Sequence, residues 1–161
     1  MGQPVANYGY YNPVPIFDLN KFTSETDRML TTLTLTIQPV KGVFLKSIYG
    51  MDNLTVESQT FQTGLTGDSY ASNGFVSNTL EKPRRWTWTN TVNYDFTVKE
   101  KLNIGVLAGV EEQYTNNQSW SGSKTNVNDP FFDVYQGTFV TAGMGGGGRS
   151  ENYFVSMFGR F

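Results

Sequence analysis

The chain has 161 residues, a net charge of −2 and neither cysteine nor histidine; 16% of its residues are charged, 15% aromatic and 38% hydrophobic. The absence of cysteine excludes disulfides and thiolate metal sites, and the absence of histidine excludes Ser-His-Asp and Cys-His catalysis. The net negative charge does not favour nucleic-acid binding, which requires a basic patch.

The beginning of the chain has no recognisable export or membrane signal. Residues 1–12 lack the basic end and the apolar core of a signal peptide. No apolar run approaches the ~18–20 residues that a transmembrane helix needs. If the chain belongs in a membrane, it must cross as strands, with its export signal lying elsewhere.

Two strands are predicted in the first third of the chain. The first covers about 29–37, where apolar residues alternate with threonines, and a proline and a glycine in 38–42 favour a turn after it. The second covers about 43–52 and alternates less regularly. A long polar stretch, 53–83, follows it.

Apolar and polar residues alternate most clearly between residues 85 and 114. This pattern predicts two strands joined by a turn at 97–101. One face of this hairpin is aromatic at its ends and aliphatic in the middle, whereas the other face is polar or small. A second long stretch, 115–148, leads to a fifth strand at about 149–161. Lipid-facing and lumen-facing residues alternate in this way in a transmembrane barrel.

The connections run short, long, short, long. Compact soluble domains use connections of about 4–6 residues, so two loops of about 30 residues would be unusual there. Outer-membrane barrels combine short periplasmic turns with long extracellular loops, and their lipid face excludes charge. The sequence therefore predicts an all-β fold of antiparallel up-and-down strands in a transmembrane barrel, with 38–42 and 97–101 periplasmic and 53–83 and 115–148 extracellular.

The alternative is a soluble β-sandwich that binds glycans through extended loops. The barrel interpretation also carries a condition, because single-chain bacterial barrels have at least eight strands and bare sheet edges are not tolerated in lipid. If it holds, the five predicted strands are one piece of a larger structure.

Five short segments carry a family resemblance, and they stand in this order along the chain: Asn12-Pro13-Val14, Val40-Lys41-Gly42-Val43, residues 103–111, Asp129-Pro130-Phe131-Phe132-Asp133 and Ser156-Met157-Phe158-Gly159-Arg160-Phe161. Together they resemble the SusC/RagA family of TonB-dependent outer-membrane transporters of the Bacteroidetes. The resemblance extends over about residues 12–161, nearly the whole chain.

The resemblance implies that residues 1–161 form about five strands from the middle of a 22-stranded barrel, without the plug domain and the TonB box of the family. The whole protein would be a nutrient importer of the bacterial outer membrane, not an enzyme, with oligosaccharide or oligopeptide as cargo. Its partners would be a SusD-like surface lipoprotein, the TonB complex acting through the absent plug, and outer-membrane lipid.

Other motifs give no cofactor or catalytic site. The run 143–148 matches G-x-G-x-x-G, but aromatic strand residues follow it where a nucleotide site needs a helix, so a flexible loop is predicted. Glu111 and Glu112 should face opposite ways on a strand, so they should not act together in hydrolysis. Asp129 and Asp133 lack the regular oxygen-ligand spacing of a calcium site.

Aromatic residues supply the candidate contact residues. Trp and Tyr collect at membrane interfaces, and five are assigned there: Trp86, Trp88, Tyr49, Tyr114 and Tyr153. Aromatics in the polar stretches would stack on a sugar or peptide, meet a lipoprotein lid, or pack loop against loop; the candidates are Trp120, Phe131, Phe132 and Tyr70. The topology places Trp86 toward the extracellular rim and Phe96 toward the periplasm.

Overall fold

The computed structural model describes residues 13–65, 67–99, 101–129 and 131–161. Residues 1–12 lie outside the described part, and with them the expectation that they form no signal peptide. The described elements are α1 (Pro13–Leu19), β1 (Lys21–Val40), β2 (Val43–Gln62), β3 (Phe75–Val98), β4 (Leu102–Val127) and β5 (Phe139–Arg160). No described helix has the length and hydropathy needed to cross a membrane.

The five strands form one sheet in the order β1-β2-β3-β4-β5. Each strand is hydrogen-bonded to its neighbour in sequence, so the sheet is antiparallel and up-and-down, and the predicted fold class is confirmed. No second sheet packs on the first within the described ranges. The sandwich alternative required two facing sheets and is therefore wrong.

The predicted loop boundaries are corrected. Much of 53–83 and 115–148 is strand, because β2 continues to Gln62 and β4 to Val127. The true connections at this end are 63–74 and 128–138, still much longer than the turns 41–42 and 99–101. Sequence alternation marks a strand where apolar residues recur on one face. These extensions are mostly polar, and their few apolar residues, such as Val56 and Phe61, do not keep a period of two, so the pattern did not mark them as strands.

The glycine-rich run 143–148 is also corrected, since it lies inside β5 and not in a loop. Glycine has no side chain to bury, so nothing in the sequence marked this segment as a strand. Its backbone is held in the sheet beside β4, where a Cβ at Gly147 would stand 2.7 Å from the carbonyl oxygen of Ser119. The close approach of the two strands at this point requires glycine.

The turn after β1 shows why Gly42 stands where it does. Gly42 has a φ of +86°, a left-handed conformation that glycine adopts without steric strain. Its carbonyl oxygen accepts a 2.8 Å hydrogen bond from the Asp95 N–H, which joins the turn to β3. A Cβ at this position would lie 2.5 Å from the Asp95 carbonyl oxygen.

The chain divides into two compact units, each made from pieces of several strands. Unit 1 comprises Met1–Asp27, Thr55–Lys82 and Gln118–Gly148, and unit 2 comprises Arg28–Leu54, Pro83–Asn117 and Arg149–Phe161. Both long connections belong to unit 1, and both short turns belong to unit 2.

Unit 1 has a small buried core in which polar groups outnumber apolar ones. Phe61 and Val76 are the buried hydrophobic residues of the described chain, beside buried Thr63, Ser69 and Asn78. The Thr63 N–H donates to the Asn20 side-chain oxygen at 2.9 Å, the Ser69 hydroxyl to Gln62 at 2.6 Å, and the Asn78 amide to Glu57 at 2.7 Å. Hydrogen bonds therefore hold this unit as much as apolar burial does.

Candidate functional site

Unit 2 presents two chemically different faces. Hydrogen bonds from Thr89 to Glu111 (3.1 Å) and from Thr97 to Asn103 (2.7 Å) set the pairing of β3 with β4 on the polar face. Because strand side chains alternate, the neighbouring residues point to the opposite, apolar face. Large apolar side chains on this face stay at least one-third exposed, among them Leu33, Leu35, Ile37, Leu45, Trp88, Val92, Tyr94, Val106, Val155 and Met157.

A shallow groove of about 570 Å³ crosses the middle of this apolar face. Every strand contributes to its wall, through Leu35, Leu45, Val92, Val110 and Met157 among others. A soluble monomer rarely exposes a contiguous apolar surface of more than a few hundred Å². Such a face needs an apolar environment.

An aromatic cluster borders the apolar face, and its members come from four strands: Tyr49, Trp86, Tyr114 and Tyr153. The Trp86 ring stacks on Tyr49 at 6.1 Å and on Tyr114 at 6.0 Å, and it meets Tyr153 edge-on at 6.2 Å, all between ring centroids. Four of the five residues assigned from sequence to a membrane interface are thus at one level of the sheet.

Trp88, the fifth assigned residue, lies on the same face as Trp86 but closer to the turn 99–101 along β3. Its indole N–H donates to the Ser47 hydroxyl at 2.9 Å. Beside it, the Tyr153 hydroxyl donates to Glu112 at 2.6 Å. Glu111 instead bonds Thr89 on the polar face, so the two adjacent glutamates diverge as predicted.

A charge pair on the polar face lies on the loop side of the aromatic cluster. Arg28 donates to both carboxylate oxygens of Asp52, at 2.9 and 2.7 Å. These hydrogen bonds hold the pKa of Asp52 below its usual range. Both side chains remain substantially exposed, so the pair is screened by solvent.

Trp120, a candidate contact residue, lies in β4 and not in a loop as the sequence predicted. Its ring meets Tyr135 of the 128–138 connection edge-on at 6.4 Å. The Lys124 ammonium lies 4.6 Å from the centre of the Tyr135 ring and donates to the Tyr135 carbonyl oxygen at 2.9 Å. A further ion pair, from Lys21 to Asp133, ties the same connection to β1.

The other three candidates are solvent-facing in unit 1. Phe131 and Tyr70 are 83% and 67% exposed, and Phe132 meets Phe131 edge-on at 5.3 Å. Within the described residues, the Tyr70 ring does not stack on either phenylalanine. Whether these side chains touch a substrate or a partner stays a prediction.

The polar side of unit 1 carries a second groove, which the sequence did not reveal. It encloses about 280 Å³ and is lined by Thr79, Glu81, Ser119, Trp120, Ser121, Gly146 and Gly147. Residues of three strands, β3, β4 and β5, contribute to it, so no local pattern could have predicted it. Within the described ranges, no group of three or more acidic, histidine or cysteine side chains could hold a metal ion.

Comparison with known proteins gives a structural match only. No family model and no curated protein matches the sequence. The fold is similar to solved structures of the RagAB peptide importer in its open-open state (TM-score 0.81, 19% identity) and closed-closed state (TM-score 0.80, 20% identity), and to the RagAB peptide transporter (TM-score 0.81, 20% identity). The match covers 99% of this chain and 18% of the matched chains. The likeness establishes the fold.

Proposed function

We propose that this chain is part of the barrel wall of an outer-membrane, TonB-dependent importer of the SusC type. The part of unit 2 between the aromatic cluster and the short turns would cross the lipid with its apolar face outward, and the long connections would be extracellular. The observation that carries the proposal is the exposed apolar face with the aromatic cluster at its border. The fold match to an importer over 99% of the chain supports it.

The length of the apolar face agrees with this role. Trp86 and Phe96 lie ten residues apart on β3, which at about 3.3 Å per residue is about 33 Å along the strand. A strand tilted by about 40° then crosses about 25 Å, the height of the apolar band of an outer-membrane barrel. Tyr and Trp at the upper limit of this span fit the aromatic girdle of such barrels.

The role proposed for the chain is non-catalytic. Oligopeptide is favoured over oligosaccharide as cargo, because the matched structures are of a peptide importer. Residues 1–161 would supply about five of 22 strands, with the plug and the TonB contact elsewhere in the protein. A SusD-like surface lipoprotein is the proposed partner for the exposed aromatics Phe131, Phe132 and Tyr70.

The test uses tryptophans as depth probes in the polypeptide that carries this sequence, reconstituted into vesicles of brominated phospholipid. Relative to wild type, the double variant Trp86→Phe, Trp88→Phe should lose part of the lipid-quenched tryptophan fluorescence, because it removes two probes from the apolar face. The control Trp120→Phe should leave the quenched component unchanged. Equal losses in the two variants, or a protein that stays monodisperse without detergent, would contradict the proposal.

A further inference from the structure

The short turns and the long connections of the sheet carry opposite charge. The turns 41–42 and 99–101 contain three basic residues and one acidic residue: Lys41, Lys99, Lys101 and Glu100. The connections 63–74 and 128–138 contain three acidic residues and no basic one: Asp68, Asp129 and Asp133. A surface of one charge sign raises the local concentration of ligands of the other sign. The short turns therefore favour an anionic partner.

The three lysines of the short turns are free to meet such a partner. All three are exposed, and none forms an ion pair or a side-chain hydrogen bond within the described part of the chain. Asp95 is the acidic residue of β3 closest in sequence to the turn 99–101. It lies on the polar face, where its carboxylate accepts a 2.7 Å hydrogen bond from the Asn93 amide. The ammonium groups are thus available to an external anion.

Lys99 stands at a position where the turn by itself favours another residue. Its φ is +50°, in the left-handed region that glycine and asparagine adopt more readily than other residues. The other short turn places a glycine in that region, Gly42 with a φ of +86°. Turn geometry therefore does not account for the lysine, whereas a role for its ammonium group does.

The apolar face of unit 2 continues up to these lysines. Near the end of β3, Tyr94 and Phe96 stack with 5.0 Å between ring centroids, and Leu102 at the start of β4 is 57% exposed. Lysine packs its alkyl chain on apolar surface and keeps its ammonium group in water. The three lysines, Phe96 and Leu102 form what we term the short-turn end, an apolar surface bordered by cations. This combination matches an amphiphile with an anionic headgroup.

We infer that the short-turn end binds anionic phospholipid in preference to zwitterionic phospholipid. The lysine ammonium groups would meet the headgroup phosphate, and the acyl chains would lie along Phe96 and Leu102. Attraction to an anionic membrane surface favours binding by roughly fivefold for each lysine. This inference rests on the proposed function, because it requires the apolar face of unit 2 to lie in lipid. It adds a lipid preference at one end of the strands.

The test captures the lipid beside Leu102 by photo-crosslinking. The photoreactive residue p-benzoylphenylalanine replaces Leu102 in the full-length polypeptide that carries this sequence. The protein is reconstituted into vesicles of equimolar phosphatidylglycerol and phosphatidylcholine with identical acyl chains, and mass spectrometry after irradiation gives the ratio of the two lipid adducts. The phosphatidylglycerol adduct should predominate by about fivefold or more.

Two double variants place the effect at the lysines. Lys99→Asn with Lys101→Gln should lower the adduct ratio by about fivefold or more, and the turn should still form because asparagine suits the positive φ at residue 99. The control, Lys46→Gln with Arg85→Gln, removes two charges from the polar face and should leave the ratio unchanged. Replacing chloride by inorganic phosphate at constant ionic strength should not change it either. A fall specific to phosphate would overturn lipid as the occupant.

The outcomes separate this inference from the proposed function. Equal adducts of the two lipids, or an unchanged ratio in the double lysine variant, would refute the anionic preference and leave the barrel wall standing. A second probe at Val106, in the middle of the apolar face, tests the wall itself. Lipid adducts at Val106 but none at Leu102 would refute this inference alone, whereas no lipid adduct at either position would refute both.

Discussion

The Tyr135 ring lies directly over Gly122, with its Cζ only 3.1 Å from the point where a Cβ at Gly122 would stand. Trp120 and Lys124 contact the same ring from either side of Gly122 on β4. The absence of a side chain at residue 122 therefore lets the 128–138 connection dock onto the strand.

Gly122→Ala should displace this connection, because the added methyl group occupies space that the Tyr135 ring fills. Overpacking of this kind typically destabilises by about 1–3 kcal/mol. Limited proteolysis should cut within 128–138 faster than in the wild-type protein. Gly146→Ala is the matched control, since its Cβ meets nothing within 4 Å, and it should leave the cleavage rate unchanged.

Trp86→Ala should destabilise the protein more than Trp120→Ala. Trp86 contacts three aromatic rings, whereas Trp120 contacts one. Each ring pair contributes about 0.5–1.5 kcal/mol beyond its buried area, so the two variants should differ by about 1–3 kcal/mol in the free energy of unfolding. Urea titration of the reconstituted protein measures the free energy of unfolding of both variants. Equal decreases would mean that the aromatic cluster adds no stability.

Val92→Arg should prevent insertion into lipid, whereas Asn93→Arg should not. The two residues are adjacent on β3 but face opposite ways, Val92 on the apolar face and Asn93 on the polar face. Arginine on the lipid face near the midplane of a barrel costs about 2–4 kcal/mol. The folded fraction in vesicles, read by resistance to protease, gives the comparison. Equal loss in both variants would argue against a lipid-facing side.

The Arg28–Asp52 pair should make stability depend on pH in acid. The pKa of Asp52 is lowered in the folded state by the hydrogen bonds from Arg28, so the pair stabilises above the unfolded aspartate value of about 3.9. That contribution is lost as the pH falls through the lower, folded-state value.

Asp52→Asn should therefore lower the urea midpoint at pH 6 and have a smaller effect at pH 2.5, which lies below the unfolded aspartate value. Glu25→Gln serves as the control for loss of a carboxylate, because Glu25 is exposed and forms no ion pair among the described residues. If the difference in urea midpoint between wild type and Asp52→Asn stays constant from pH 6 to 2.5, the ion pair contributes nothing to stability.

The sequence allowed the strands of unit 2 and their apolar face to be predicted well. Alternation at Trp86, Trp88, Val92 and Phe96 placed these residues on one face, and the structure groups Trp86 with the predicted tyrosines. The strand extensions could not be predicted, because they are mostly polar and their few apolar residues, among them the buried Phe61 and Val76, leave no period of two. The groove at Glu81 and Ser119 was equally hidden, since it joins residues of β3, β4 and β5.

The order of strands, their number and the two unlike faces of unit 2 follow from the sequence alone, because side chains on a strand alternate and the apolar residues occupy one set of positions. Strand length, the docking of Tyr135 over Gly122 and the empty space beside Gly146 were decided only by tertiary structure. These features depend on which strands are neighbours and on the register in which they pair. Both are set by contacts between residues far apart in the chain.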